Sequence, residues 1–191
     1  VNDKVSSFFI YNWLFLPAAS RNGSLYEVNI VMDIDNIPIQ QDNPQRIIRH
    51  RVTRLLAKRE HSYAELVQKL QVLELPNEDI MAVLQQFVDK NIQSDDRFTY
   101  HFVRNCIAKG QGLSRIKQAL FAHEISENML SDALQEIEPD WFELAYRVKC
   151  KKYAIEPETD WTLKQKQMRF LQYRGFNQEQ ISHAVDFSID K

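Results

Sequence analysis

The chain has 191 residues, 44% of them hydrophobic and 26% charged, with a formal net charge of −2. This composition supports a packed core and excludes wholesale disorder. Two cysteines exclude a disulfide scaffold and suit a reducing compartment. The near-neutral balance also lacks the basic excess of a typical nucleic-acid-binding domain.

Residues 1–45 stand apart from the rest. The run Phe8-Phe9-Ile10-Tyr11-Asn12-Trp13-Leu14-Phe15-Leu16 is too short for a membrane helix, which needs roughly 20 apolar residues. With Lys4 before it and Ala18-Ala19-Ser20 after it, it superficially resembles a signal peptide. Met32 offers an alternative start. Residues 1–45 are therefore read as an extension outside the folded repeats, with no folded unit of its own or lying upstream of a start at Met32. From Gln45 onward Gly and Pro are sparse, and Leu, Ala, Gln, Glu, Lys and Arg dominate. These are good helix formers, so residues 46–190 read as all-α.

Apolar positions repeat at a shift of 50 residues. Ile48, Val52 and Leu56 fall on Phe98, Phe102 and Cys106, and Leu66 and Leu70 on Ile116 and Leu120. Leu75, Ile80, Leu84 and Phe87 fall on Ile125, Leu130, Leu134 and Ile137. A third copy matches Phe98, Phe102 and Cys106 to Phe142, Tyr146 and Cys150 at a shift of 44. Leu120, Ile125, Leu130 and Leu134 match Leu171, Phe176, Ile181 and Val185 at a shift of 51. The difference is placed in a linker around Pro157. Within each segment the spacing is three or four, which makes one buried stripe per helix. All these positions are assigned to core, Cys106 and Cys150 included.

The expected fold is three tandem three-helix repeats, residues 46–92, 93–138 and 139–191, forming an elongated, curved body. The helices run roughly Arg46–Lys58, Tyr63–Val72, Asn77–Lys90, Asp96–Ala108, Leu113–Ala122, Glu127–Glu136, Asp140–Tyr153, Leu163–Tyr173 and Gln178–Phe187. Ser62 to Glu65 reads as a capping box and Asn177 to Gln180 as a second one. Ser126 reads as an N-cap, and Gly175 as a left-handed helix end.

Motifs for catalysis are absent. There is no phosphate-binding P-loop, no dinucleotide fingerprint at Gly110-Gln111-Gly112, and no H-E-x-x-H. His50, His61, His101, His123 and His183 lie at no zinc-type spacing. The chain reads as a non-enzyme without metal or cofactor. Charge is more informative. Of the 24 basic and 26 acidic residues, two and five precede Arg46, leaving 22 and 21 in the helical body. The basic residues cluster on the first helix, around Gly110 and Gly112, at Arg147, Lys149, Lys151 and Lys152, and at Lys164, Lys166, Arg169 and Arg174. Acids concentrate in the intervening third helices and in the linker at Glu156, Glu158 and Asp160. Such zoning fits a polyanion or a nucleoprotein partner.

Lys109-Gly110-Gln111-Gly112-Leu113-Ser114-Arg115-Ile116, followed by Leu120, resembles the central signature of RecX, the bacterial regulator of the recombinase RecA. Asp95-Asp96-Arg97-Phe98 with Phe102-Val103 resembles the opening of that family's second repeat. Arg169-Phe170-Leu171 with Arg174-Gly175-Phe176, then Ile181 and Ala184-Val185, resembles its C-terminal repeat. Tyr63-Ala64-Glu65-Leu66 with Lys69-Leu70 resembles its first. The resemblance spans about residues 46–188. It implies a cytoplasmic protein that binds RecA filaments and restrains their ATPase, strand-exchange and coprotease activities, without catalytic residues or cofactor.

The expected contacts are Arg104, Lys109, Arg115, Lys117, Lys151, Lys152, Arg169 and Arg174. Arg115 has a rival role within its own repeat, Arg174 a rival role at its own helix end, and Gly110 and Gly112 read as turn-formers. The expected partner is the RecA filament, with DNA contacted weakly or through it, no membrane, and the chain a monomer. Rival readings are a sequence-independent DNA-binding helical module, an adaptor for another protein, and a secreted or membrane-associated protein resting on residues 8–20 alone.

Overall fold

The computed structural model describes residues 43–153 and 158–186. The expectations for residues 1–42, including a start at Met32, and for the linker at residues 154–157 lie outside the described residues. Among the described residues all regular structure is helical: α1 (Pro44–Leu56), α2 (Tyr63–Gln71), α3 (Asn77–Asp89), α4 (Asp95–Ala108), α5 (Leu113–Phe121), α6 (Glu127–Ile137), α7 (Trp141–Lys152), α8 (Trp161–Arg174) and α9 (Gln178–Asp186). No helix among them is long and apolar enough to cross a membrane.

The helix starts follow from local chemistry. α1 begins two residues earlier than expected, because Asn43 caps it by accepting from the Gln45 amide and Pro44 occupies its first turn. Ser62, Ser94, Ser126 and Asp140 each accept from a backbone N–H three residues on. Asn177 and Gln180 form a full capping box, with reciprocal bonds of 3.0 and 2.9 Å. The box expected at Ser62 is only half made. Ser62 accepts from the Glu65 amide, but the Glu65 carboxylate turns to Arg59 instead.

The helices form three groups, each around its own core. The first buries Ile48, Val52, Leu66, Leu70, Ile80, Val83, Leu84 and Phe87. At roughly 1.5–3 kcal/mol per buried side chain, packing rather than propensity holds the nine-residue α2, which is too short to persist alone. The second group packs Phe98, Val103, Cys106, Ile116, Leu120 and Leu130. The third packs Leu144, Ala145, Leu171, Phe176, Ile181 and Val185.

The third group corrects the expected register. Phe142 is 42% exposed, so it is not the core counterpart of Phe98. The N-caps Ser94 and Asp140 lie 46 residues apart, and burial follows that shift rather than 44. Thr99 then matches Ala145, and Val103 matches Lys149, all fully buried. Cys106 and Cys150 are therefore not equivalent; Cys106 is buried and Cys150 half-buried. Aromatic identity at residues 98 and 142 had suggested a register that the helix start overrides. The caps Asn43 and Ser94 lie 51 residues apart, so in the first two groups Val52 matches the buried Val103 rather than Phe102, and Lys149, expected on the surface, stands at this same position. Gln167 stands where those groups carry Leu66 and Ile116, and its Oε1 has no hydrogen-bond partner among the described residues.

Candidate nucleoprotein interface

Two of the sequence motifs meet in space. Gly112 caps α5 and Gly175 ends α8, and the two backbones are in contact. A Cβ on Gly112 would fall 2.4 Å from the Gly175 carbonyl carbon and oxygen, and one on Gly175 would fall 2.6 Å from the Arg115 nitrogen. Gly112 is thus required for close approach rather than for a turn, which corrects the expectation. Its φ is an ordinary −82°, whereas Gly110 and Gly175 have φ of 72° and 91°. The Gly112 amide donates to the Arg174 carbonyl at 2.8 Å and the Ser114 amide to the Gly175 carbonyl at 3.1 Å. Free amides of the first turn of α5 are satisfied by free carbonyls at the end of α8. The two helices are hydrogen-bonded end to end.

Arginines reinforce this joint in both directions. Arg115 Nη1 donates to the Tyr173 carbonyl at 3.2 Å, and its guanidinium lies 4.9 Å from the centre of the Tyr173 ring. Arg174 Nη1 donates to the Lys109 carbonyl at 2.9 Å, at the end of α4. Neither rival role expected within its own repeat carries the observed bond; each arginine reaches into the neighbouring group. Arg174 also shares the Phe170 ring with Lys152, at 5.2 and 4.0 Å. Tyr153 meets the same ring edge-on at 5.7 Å. Below the surface, Ile107 and Trp141 pack against both the second and third cores.

Of the eight expected contact residues, the joint gathers Lys109, Arg115, Lys152 and Arg174. Arg104, Lys117, Lys151 and Arg169 are exposed on α4, α5, α7 and α8 outside it. Arg104 lies 5.5 Å from the Tyr100 ring centre. Neither α5 nor α8 contains an acidic residue. Sequence reasoning missed Phe170 and Tyr173 as partners of these cations. The available signal was the alternation of basic and aromatic residues from Arg169 to Arg174.

The joint between the first two groups is built differently. Ser62 and Glu124 occupy the positions of Gly112 and Gly175, and Glu124 has φ of 57°. No backbone-to-backbone hydrogen bond ties α2 to the end of α5 among the described residues. Side chains do the work instead. The Tyr63 amide donates to Asp95 Oδ1 at 2.8 Å, and Gln93 Nε2 donates to the His61 carbonyl at 3.2 Å. Arg97 Nε donates to Glu60 Oε1 at 2.9 Å, while its Nη atoms hold Asn91 and the Ile92 carbonyl. His123 Nδ1 lies 3.4 Å from Ser62 Oγ, with its ring against Phe98 and Phe102.

Titration behaviour follows burial. Burial pushes the His61 imidazole below its usual value against the opposing bond to the Arg59 carbonyl. Burial pushes Glu65 up, but the Arg59 hydrogen bonds and the charges of His61, Arg59 and Lys69 outweigh it, and the net direction is down. Burial raises the Cys106 thiol, which suits a core residue rather than a nucleophile. No cluster of metal-ligating residues occurs among the described residues.

The chain is similar to known proteins over both its second and third groups. The second and third three-helix domains of RecX match residues 94–134 and 138–185. The regulatory protein RecX of Acinetobacter baylyi is 39% identical over 131 residues, covering 69% of this chain and 81% of that protein. The chain belongs to the RecX family. Its counterpart in Chromohalobacter salexigens is 36% identical over 132 residues, covering 69% and 86%. Two solved structures share the RecX fold. One, a regulatory protein RecX, has a TM-score of 0.61 at 23% identity and covers 74% of this chain and 71% of its own. The other, RecX from Lactobacillus salivarius, has a TM-score of 0.61 at 19% identity and covers 74% and 94%. By this kinship the chain is a RecX-type regulatory protein with an all-α, three-helix-repeat body.

Proposed function

We propose that this RecX protein regulates RecA, mainly as an inhibitor, by binding RecA–DNA filaments and restraining ATPase, strand exchange and coprotease activity. The observation that carries the reading is the joint between the second and third groups. Two sequence motifs of the RecX resemblance, around Gly112 and Gly175, lock α5 and α8 together. They thereby fix an acid-free pair of helices in one body. A fixed basic surface complements a polyanionic filament and steers its encounter.

Lys117, Lys151, Lys152, Arg104 and Arg169 pair with no carboxylate among the described residues, which leaves their charge for a partner. Lys109 also contributes its side chain, because only its carbonyl is used in the joint. Arg115 and Arg174 first hold the joint, so their loss acts through geometry as well as charge. The protein works as a monomer in the cytoplasm, with no catalysis or cofactor of its own.

The test is the single-stranded-DNA-dependent ATPase rate of RecA from the same source, titrated with the full chain. Inhibition is expected, and Lys117→Glu with Arg169→Glu weakens it while helicity by circular dichroism stays native. Inhibition well below RecA's concentration indicates capping of filament ends; inhibition near stoichiometry indicates coating. An unchanged rate at excess protein contradicts the proposal.

A further inference from the structure

The largest exposed apolar side chains are not scattered. Phe121, Val72, Tyr173 and Trp161 are the four most exposed large hydrophobics among the described residues. All lie on, or one residue beyond, the second helix of a group. An isolated exposed apolar side chain needs no explanation, so the two on α8 are read by what stands beside them.

On α8 the aromatics are interleaved with cations. Lys166, Arg169 and Tyr173 recur at spacings of three and four, which places them on one stripe. The stripe lies away from Gln167 and Leu171, the buried side of α8. Trp161 joins its lower end, where it lines a surface depression of about 450 Å³ with Lys166 and Arg169. Lys166 and Arg169 make no ion pair among the described residues, whereas Lys164 is paired with Asp186 on α9. At the upper end Tyr173 is 73% exposed although the Arg115 guanidinium lies over its ring. One ring face is thus held by a cation and the other stands open.

We infer that the α8 stripe Trp161–Lys166–Arg169–Tyr173, extended by Arg115 across the glycine joint, is a binding track for a single strand of nucleic acid. It rests on the reading above only in taking the DNA of the filament as the natural source of that strand. Two requirements select this ligand. Phosphates need unpaired cations with no carboxylate on the same helix, and α8 meets that need. Bases need open ring faces at intervals, and a single strand supplies unstacked bases where a duplex hides them. Asp160, which caps α8, and Glu158, which accepts from the Asp160 amide, bound the track at its Trp161 end. Arg115 acts as a positioning residue, because it holds the Tyr173 ring.

The full chain is titrated against a fluorescein-labelled oligothymidylate and a duplex of equal length, by anisotropy across a salt series. The single strand is expected to bind more tightly than the duplex. Tyr173→Ala weakens it about tenfold with an unchanged salt slope, since stacking rather than charge is lost, and Tyr173→Phe retains native binding. Lys166→Glu with Arg169→Glu flattens the slope by about 1.4, the loss of two phosphate contacts. Circular dichroism and melting temperature confirm that each variant folds.

Native affinity for oligothymidylate in Tyr173→Ala, or equal affinity for duplex and single strand, overturns the inference. So does failure of the native chain to bind the single strand. RecA ATPase inhibition by the same variants separates the two readings. Inhibition kept while strand binding is lost supports the track and puts the RecA contact elsewhere. Inhibition lost while strand binding stays native assigns the stripe to a protein surface and overturns the track.

Discussion

The two joints of this molecule occupy equivalent positions in the repeat and are made of different material. Between the second and third groups, two glycines let backbones touch, two amide–carbonyl bonds tie α8 to α5, and Ile107 and Trp141 are shared by both cores. Between the first and second groups, Ser62 and Glu124 stand in the glycine positions. The contact there is a latch of Gln93, Asp95, Arg97 and Glu60. The lesson is that one Cβ at each of two positions decides which kind of joint forms. A Cβ at 2.4 Å from a carbonyl cannot be accommodated without separation, so side chains at residues 62 and 124 force a joint mediated by side chains.

The largest expected effect comes from breaking the sealed joint. Gly112→Ala is expected to cost roughly 3 kcal/mol, from the clash and the loss of two backbone bonds, read by chemical denaturation. A cost under about 0.5 kcal/mol, in the range of ordinary surface changes, would show that the backbones are not in contact. Arg97→Ala, at the latch, is expected to cost about 1–2 kcal/mol, since its hydrogen bonds lie partly in solvent. Ser62→Ala removes the α2 cap and is expected to cost about 1 kcal/mol in the same measurement. If the latch substitutions cost more than Gly112→Ala, the ranking of the two joints is reversed.

A smaller effect of opposite sign is expected at Gln167→Leu. It restores the apolar residue type found at Leu66 and Ile116 and removes an acceptor without a partner among the described residues. A gain of about 1 kcal/mol is expected, and a loss would show that the amide is used.

The smallest effect is a pH dependence confined to the side of the latch. His61 is depressed in the folded chain, so the unfolded chain takes up its proton first as pH falls. Its contribution is complete above about 6.5 and is lost as pH falls from there toward the lowered folded value. Glu65 is also depressed, so its contribution holds above about 4.5 and is lost as pH falls through its folded value. Melting temperature is expected to fall between pH 7 and 5. His61→Asn, which keeps a donor for the Arg59 carbonyl, is expected to flatten that part of the profile. An unaltered slope in the variant would remove His61 from this role.

Much of the fold was legible in the sequence because it is written in periodic burial. The stripe Leu66–Leu70 and its counterpart Ile116–Leu120 gave both helix type and repeat length, and α2 and α5 begin at the expected residues. The third group was less legible at α7, where Phe142 imitates Phe98 but the Asp140 cap sets the register. Lys149 and Gln167 at core positions were hidden for the same reason, since long polar side chains read as surface when no neighbour is known. The contact residues were legible as charge, but not as geometry. That Arg115 and Arg174 reach across a joint depends on Gly112 meeting Gly175, residues that lie 63 positions apart in the chain. Local spacing does not carry that meeting.

The most direct measurement is amide hydrogen exchange on the intact native chain at the two joints. The Gly112 and Ser114 amides are expected to exchange with the core amides of α5 and α8, by global opening. The Tyr63 amide, held among the described residues by the Asp95 side chain alone, is expected to exchange much faster, through local release of the latch. Exchange at Gly112 and Ser114 as fast as at Tyr63 would contradict a backbone-sealed joint between the second and third groups.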